Sequence, residues 1–160
     1  MKKLSAVLLL CCLALPVQAA ETDFAAELLD AINAFRSSEN LAPLARNATL
    51  DGVSQSHSDA MVRDAFVGHV GPDGRDLPAR VEDAGYGYRV LAENIAAGPD
   101  DPNAVLQSWL DSPPHAYNLR LAEASEIGLG YSPGGVKLED DVATDVRTII
   151  LAAPATATGA

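Results

Sequence analysis

The chain has 160 residues with 22 acidic and 11 basic side chains, a net charge of −11, and its hydrophobic fraction of 48% is ample for a buried core. No basic footprint exists for nucleic acid, and the acidity disfavours adhesion to anionic lipid headgroups. The length fits one ordinary domain.

Residues 1–20 read as a secretory signal peptide. Lys2 and Lys3 give the positive start, and Ala6 to Leu15 is apolar. Pro16 follows, and then Val17-Gln18-Ala19-Ala20 supplies small residues for cleavage. The apolar run is too short for a transmembrane helix, which needs about 20 such residues. No later segment could span a membrane. Cys11 and Cys12 are the two cysteines, and both fall in this leader. A lipid-modified cysteine is disfavoured, because no small residue precedes Cys11. The exported part is therefore free of disulfides and relies on its core, which suits a periplasmic or extracellular bacterial protein.

The remainder is read as one domain over residues 21–153, with a frayed tail over 154–160. Asp23 to Ser38 forms an amphipathic helix, with Leu28, Leu29, Ile32 and Phe35 at helical spacing. Asn47-Ala48-Thr49 caps a second helix that runs to about Ala65, and His57 falls on its apolar stripe. Phe66 to Gly74 is a loop with a turn at Pro72-Asp73-Gly74. Asp76 caps a short third helix that tolerates Pro78 in its first turn, and Gly85 stops it. Glu93-Asn94 is read as loop between two apolar stretches. Asp101 and Pro102 open a fourth helix, which Ser112-Pro113-Pro114 ends. Ile127, Leu129 and Tyr131 alternate as a strand, Pro133-Gly134-Gly135 is a turn, and Val146 to Ala153 is the strongest strand. Helices first and strands last predict an α+β fold with an antiparallel sheet.

Three segments carry a family resemblance. The first is Ser56-His57-Ser58-Asp59-Ala60-Met61 with Phe66-Val67-Gly68-His69. The second is Ala84-Gly85-Tyr86 with Ala92-Glu93-Asn94-Ile95-Ala96-Ala97-Gly98. The third is Trp109-Leu110-Asp111-Ser112-Pro113-Pro114-His115-Ala116-Tyr117-Asn118 with Glu126-Ile127-Gly128-Leu129-Gly130-Tyr131. In this order the chain resembles the bacterial SCP-domain branch of the CAP superfamily: cysteine-rich secretory proteins, antigen 5 and pathogenesis-related 1 proteins. The resemblance implies a three-layer α/β/α sandwich with a small antiparallel sheet between helices. It also implies a central cleft that, in many members, holds two His and two Glu. His69 matches the first cleft His and Glu93 the first cleft Glu. Ser112 stands where eukaryotic members place the second Glu, and no His follows His115, so half the tetrad is present.

The candidate cleft residues are thus His69, Glu93, Asn94, Ser112 and His115. A loop His beside a Glu can bind metal, move a proton, or simply tie two segments together. Glu93 needs a partner if buried, and His69 is the expected one. Asn94 is expected to satisfy backbone, and His115 either faces the cleft or caps its turn. His57 and Trp109 read as core. There is no Gly-x-Ser-x-Gly elbow, His-Glu-x-x-His helix, P-loop or exported cysteine.

The reading that results is a non-catalytic binding module whose cleft takes a small hydrophobic ligand such as a lipid, a peptide or a cell-envelope component. It requires no cofactor and binds zinc weakly at most. The alternatives are a metal-assisted hydrolase built on His69 and Glu93, and a structural envelope protein with a vestigial cleft. Export should leave a mature N-terminus between Ala19 and Thr22. Intact-mass analysis of the exported protein checks this, and the full-length mass or a lipid adduct on Cys11 or Cys12 refutes it.

Overall fold

The computed structural model describes residues 17–98, 100–137 and 143–156. The chain runs α1 (Val17–Ser38), β1 (Ala45–Arg46), α2 (Ala48–Arg63), α3 (Leu77–Asp83), β2 (Tyr88–Gly98), α4 (Pro102–Leu110), α5 (Pro113–Leu119), β3 (Glu126–Lys137) and β4 (Ala143–Pro154). Most of the expected signal peptide, 1–16, lies outside the described residues, and α1 begins at Val17 instead of Asp23.

The helix boundaries follow the capping chemistry. The Asn47 side chain accepts from the backbone N–H groups of Thr49 and Leu50. Asp76 accepts from Ala79, and Asp101 from Ala104, with a proline in the first turn of each helix. Gly85 takes φ +76° just past α3, as the C′ position of a helix favours.

The sheet order is β1-β3-β4-β2. β3 and β2 both pair antiparallel to β4, whereas β1 pairs parallel to β3 through Ala45↔Glu126 and Arg46↔Ile127. The sheet is therefore mixed, a correction to the antiparallel expectation. Two-residue β1 is too short to leave a period in the sequence. β2 is a second correction. Its small residues Ala92, Ala96 and Ala97 and its polar pair Glu93-Asn94 have weak strand character, yet it pairs with β4 from Tyr88 to Gly98. Pro133-Gly134-Gly135 is a third. These residues form an irregularity inside β3, between Ser132 and Val136, with Gly134 at φ +45°. Pro154 is the last residue of β4, opposite Tyr88, and Ala155 N–H donates to Gly87 O; residues 157–160 lie outside the described set.

β4 is central and buried on both faces, so its apolar run is continuous. Ile149 and Leu151 join Ile127 and Leu129 against α1, α4 and α5, in a core around Leu28, Ile32, Val105, Leu106 and Trp109. Ile150 and Ala152 point the other way, toward Leu50 and Val53 of α2 and Val81 of α3. This is helix, sheet, helix in three layers. Across the α1 layer, Arg36 is fully buried. Its guanidinium donates to the carbonyls of Ala42, Leu119, Leu121 and Ala124.

On the α2 side, β3 offers glycine where the helix lies. A Cβ on Gly128 would stand 2.2 Å from the Leu50 carbonyl carbon, and one on Gly130 2.2 Å from that of Ser54. Helix and strand backbones are in direct contact there, so a methyl has nowhere to go. Gly130→Ala should destabilise the fold by about 3 kcal/mol through overpacking. Urea unfolding checks this, and an unchanged midpoint would show that α2 can lift off the sheet freely.

Candidate functional site

Glu93 lies on β2 opposite Ile150, so its side chain faces the α2 and α3 layer. It is 2% exposed. Burying a carboxylate is costly unless it is paired and hydrogen-bonded. Here both oxygens are used: Oε1 meets His69 Nδ1 at 2.8 Å, and Oε2 accepts from Arg80 Nη2 of α3. Arg80 also donates to His69 O at 2.7 Å, so the arginine holds both the carboxylate and the loop that carries its other partner. The His69 ring remains half exposed.

His57 supports this loop from below. It is buried on α2, packs edge-on to Phe66, and its Nε2 donates to Gly68 O at 2.9 Å. Burial pushes its imidazole below the ordinary value of 6.5; the Arg80 and His69 charges add to this, and Glu93 opposes it. Burial, with His69 nearby, also lowers His115. His115 sits near the start of α5 and is half-buried.

Asn94 points to the other face. It is fully buried, donates to His115 O at 3.1 Å and accepts from Asn118 Nδ2 at 2.9 Å. β2 is an edge strand, and exposed edges invite pairing with other chains. Asn118 Nδ2 also donates to Glu93 O and Trp109 Nε1 to Ile95 O, so side chains from α4 and α5 occupy two acceptors in the middle of that edge. Ser112 is the N-cap of α5 with no side-chain capping bond; its carbonyl accepts from Ala116 N–H.

The structure thus brings His69 and Glu93 into contact and sets His115 near them. Asn94 is beneath, on the opposite face, and Ser112 has no bond to either. Arg80 and Asn118 are participants that the sequence did not mark. Glu93 signalled a need for partners, but nothing in an arginine on a seven-residue helix identifies it as one of them. An open cleft of about 630 Å³ lies beside this cluster, between α2 and α3 with the turn at 71–75. His57 and Arg80 line it, whereas His69 and Glu93 do not. Among the described residues, no three His, Cys, Asp or Glu side chains are grouped to hold a metal ion. The His69–Glu93 pair fits zinc poorly, since it offers two ligands where a zinc site takes three or four from the protein, and zinc between the two would have to break the Nδ1–Oε1 bond.

A sheet between two helical layers, with a buried glutamate tied to a loop histidine, defines a class of small α/β/α domains. The model of the cysteine-rich secretory protein family, CAP, matches residues 29–142, and the chain belongs to that family. It is 28% identical over 109 residues to the Bacillus subtilis protein YkwD, a match covering 68% of this chain and 42% of that one. The chain therefore matches less than half the length of that relative. Among solved structures, it is similar to an extracellular SCP-domain protein of Bacillus anthracis, with 26% identity and TM-score 0.72 over 86% of this chain and 44% of that one. An outer surface protein of Borrelia burgdorferi matches with 21% identity and TM-score 0.71 over 82% and 93% of the two chains, a likeness of fold.

The histidine shifts imply a pH dependence. A folded value below the unfolded one means that the unfolded chain takes up the proton first as pH falls. The stability held in neutral His57 is therefore complete above about pH 6.5 and is lost as pH drops toward the folded value. His115 acts in the same direction. Urea midpoints between pH 7 and pH 5 should fall for the wild type and fall less for His57→Gln; equal slopes would contradict this.

Proposed function

We propose that the protein is an exported, non-catalytic binding module. The observation that carries this reading is the state of Glu93. A general base or nucleophile needs a free oxygen within reach of substrate. Both oxygens of Glu93 are held inside the protein, by His69 and Arg80, in a side chain 2% exposed. That is the chemistry of a strut. It fixes the His69 loop and α3 relative to the sheet, and so shapes the cleft beside them.

Export is supported by the signal-like character of residues 1–20 and by the extracellular and outer-surface descriptions of the similar structures. No described helix is long and apolar enough to cross a membrane. The ligand classes compatible with the family resemblance are a lipid, a peptide or a cell-envelope component.

The test uses protein purified from an exporting host without chelators. Native mass spectrometry should find a copurifying small molecule or peptide and no stoichiometric metal. Glu93→Gln should lower thermal stability. Zinc that survives dialysis against chelator, or a hydrolytic activity abolished by Glu93→Gln, overturns the reading in favour of an enzyme.

A further inference from the structure

We infer that the cleft between α2 and α3 binds an extended, uncharged stretch of peptide main chain; this rests on the binding-module reading and names its ligand class. The argument starts from the floor. Ala48, Gly52, Ser56 and Ala60 all line the cleft and recur every four residues along α2. Residues so spaced lie one above another on a helix. Four small side chains in a row make a trough in which a partner's backbone can lie close. From Ala48 to Arg63 the helix rises about 22 Å at 1.5 Å per residue. An extended chain of about six or seven residues spans that length at roughly 3.3 Å each. The volume of about 630 Å³ falls within the ordinary range of binding pockets.

The walls then select the ligand. Val53 is the one branched aliphatic side chain among them, too little to hold an acyl chain. No Phe, Tyr or Trp ring lines the cleft, and the His57 ring is buried, so a sugar finds no broad face to stack on. Its three arginines already have carboxylate partners: Arg63 with Asp64, Arg75 with Asp83, and Arg80 with Glu93. A charged ligand would have to compete with these ion pairs, whereas a neutral one need not. Among the lining residues two side chains hold a nitrogen without a partner: Arg80, whose buried Nε–H is left over from its ion pair, and His57. The His57 Nε2–H is given to Gly68 O, and burial keeps the ring neutral, which makes Nδ1 an acceptor. Nδ1 has no hydrogen bond among the described residues. A peptide N–H supplies the missing donor, and the adjacent carbonyls can accept from the hydroxyls of Thr49 and Ser56 on the floor. The recognised groups belong to the main chain, so the ligand's side chains are secondary.

NMR titration of the 15N-labelled mature protein tests this with three probes: the blocked hexapeptide acetyl-(Ser-Ala)3-amide, chitotetraose and lauric acid. The hexapeptide at millimolar concentration should shift the α2 amides from Gly52 to Ala60, and the other two should not. Gly52→Leu fills the trough. A Cβ at Gly52 meets nothing within 4 Å, so the variant keeps its fold. Its affinity for the hexapeptide should fall at least tenfold. Absence of shifts with the hexapeptide, or equal binding by Gly52→Leu, overturns the inference. Hexapeptide binding that survives Gly52→Leu but is lost in His69→Ala moves the ligand to the His69 face; that sinks the trough and leaves the binding-module reading intact. Hydrolysis of the probes with no saturable binding sinks both.

Discussion

The α2 helix rests its backbone directly on β3 at Gly128 and Gly130, and much of the molecule follows from that contact. With no side chain between them, helix and sheet cannot be separated by even one methyl group. Leu50, Met61 and His57 are thereby pressed into the interior, and Ser58 reaches Thr148 on β4 at 3.0 Å. The opposite side of the helix, with its row of small residues, is left facing α3 at a fixed height. The depth of the cleft and the position of the His57 ring are both set by a pair of glycines that touch neither.

The buried glutamate is the second organising element. β2 carries it inward, α3 and the 68–70 loop converge on it, and the edge of β2 is closed by Trp109 and Asn118 from the other layer. One strand thus fastens both helical layers: Glu93 through its carboxylate on one face, Asn94 through its amide on the other. Their adjacency in sequence is what allows this, because neighbouring strand residues point to opposite faces. The same alternation separates the two chemically, so Asn94 is a structural tie and has no access to the cleft.

Much of this was legible beforehand. Asn47, Asp76 and Asp101 announced their helices through caps whose geometry depends on local sequence alone. β4 announced itself through β-branched residues, and His69 with Glu93 through motif order. β2 was not legible. Its alanines, glutamate and asparagine are poor strand formers, and it becomes a strand because β4 supplies its hydrogen bonds. Parallel β1 is too short to show a pattern, and the Pro133-Gly134-Gly135 stretch looks like a turn because a bulge uses the same residues. Arg80 was hidden for a related reason. Its importance lies in a partner 13 positions away on another element, and such pairings leave no local trace.

Arg36 ties α1 to the exit of α5 through the carbonyls of Leu119, Leu121 and Ala124, and to the segment after α1 through that of Ala42, with no carboxylate. Burial lowers the proton affinity of its guanidinium, but from so high a starting value that it stays charged at any ordinary pH. Its acceptors do not titrate at all. On the other face the tie to the 68–70 loop runs through the His57 imidazole, whose proton affinity burial lowers. The two faces of one sheet are therefore fastened by different kinds of joint. Acid that charges His57 strains its tie to the 68–70 loop, whereas the Arg36 joint holds no group that changes charge in the ordinary range, so the two grips differ in what can undo them.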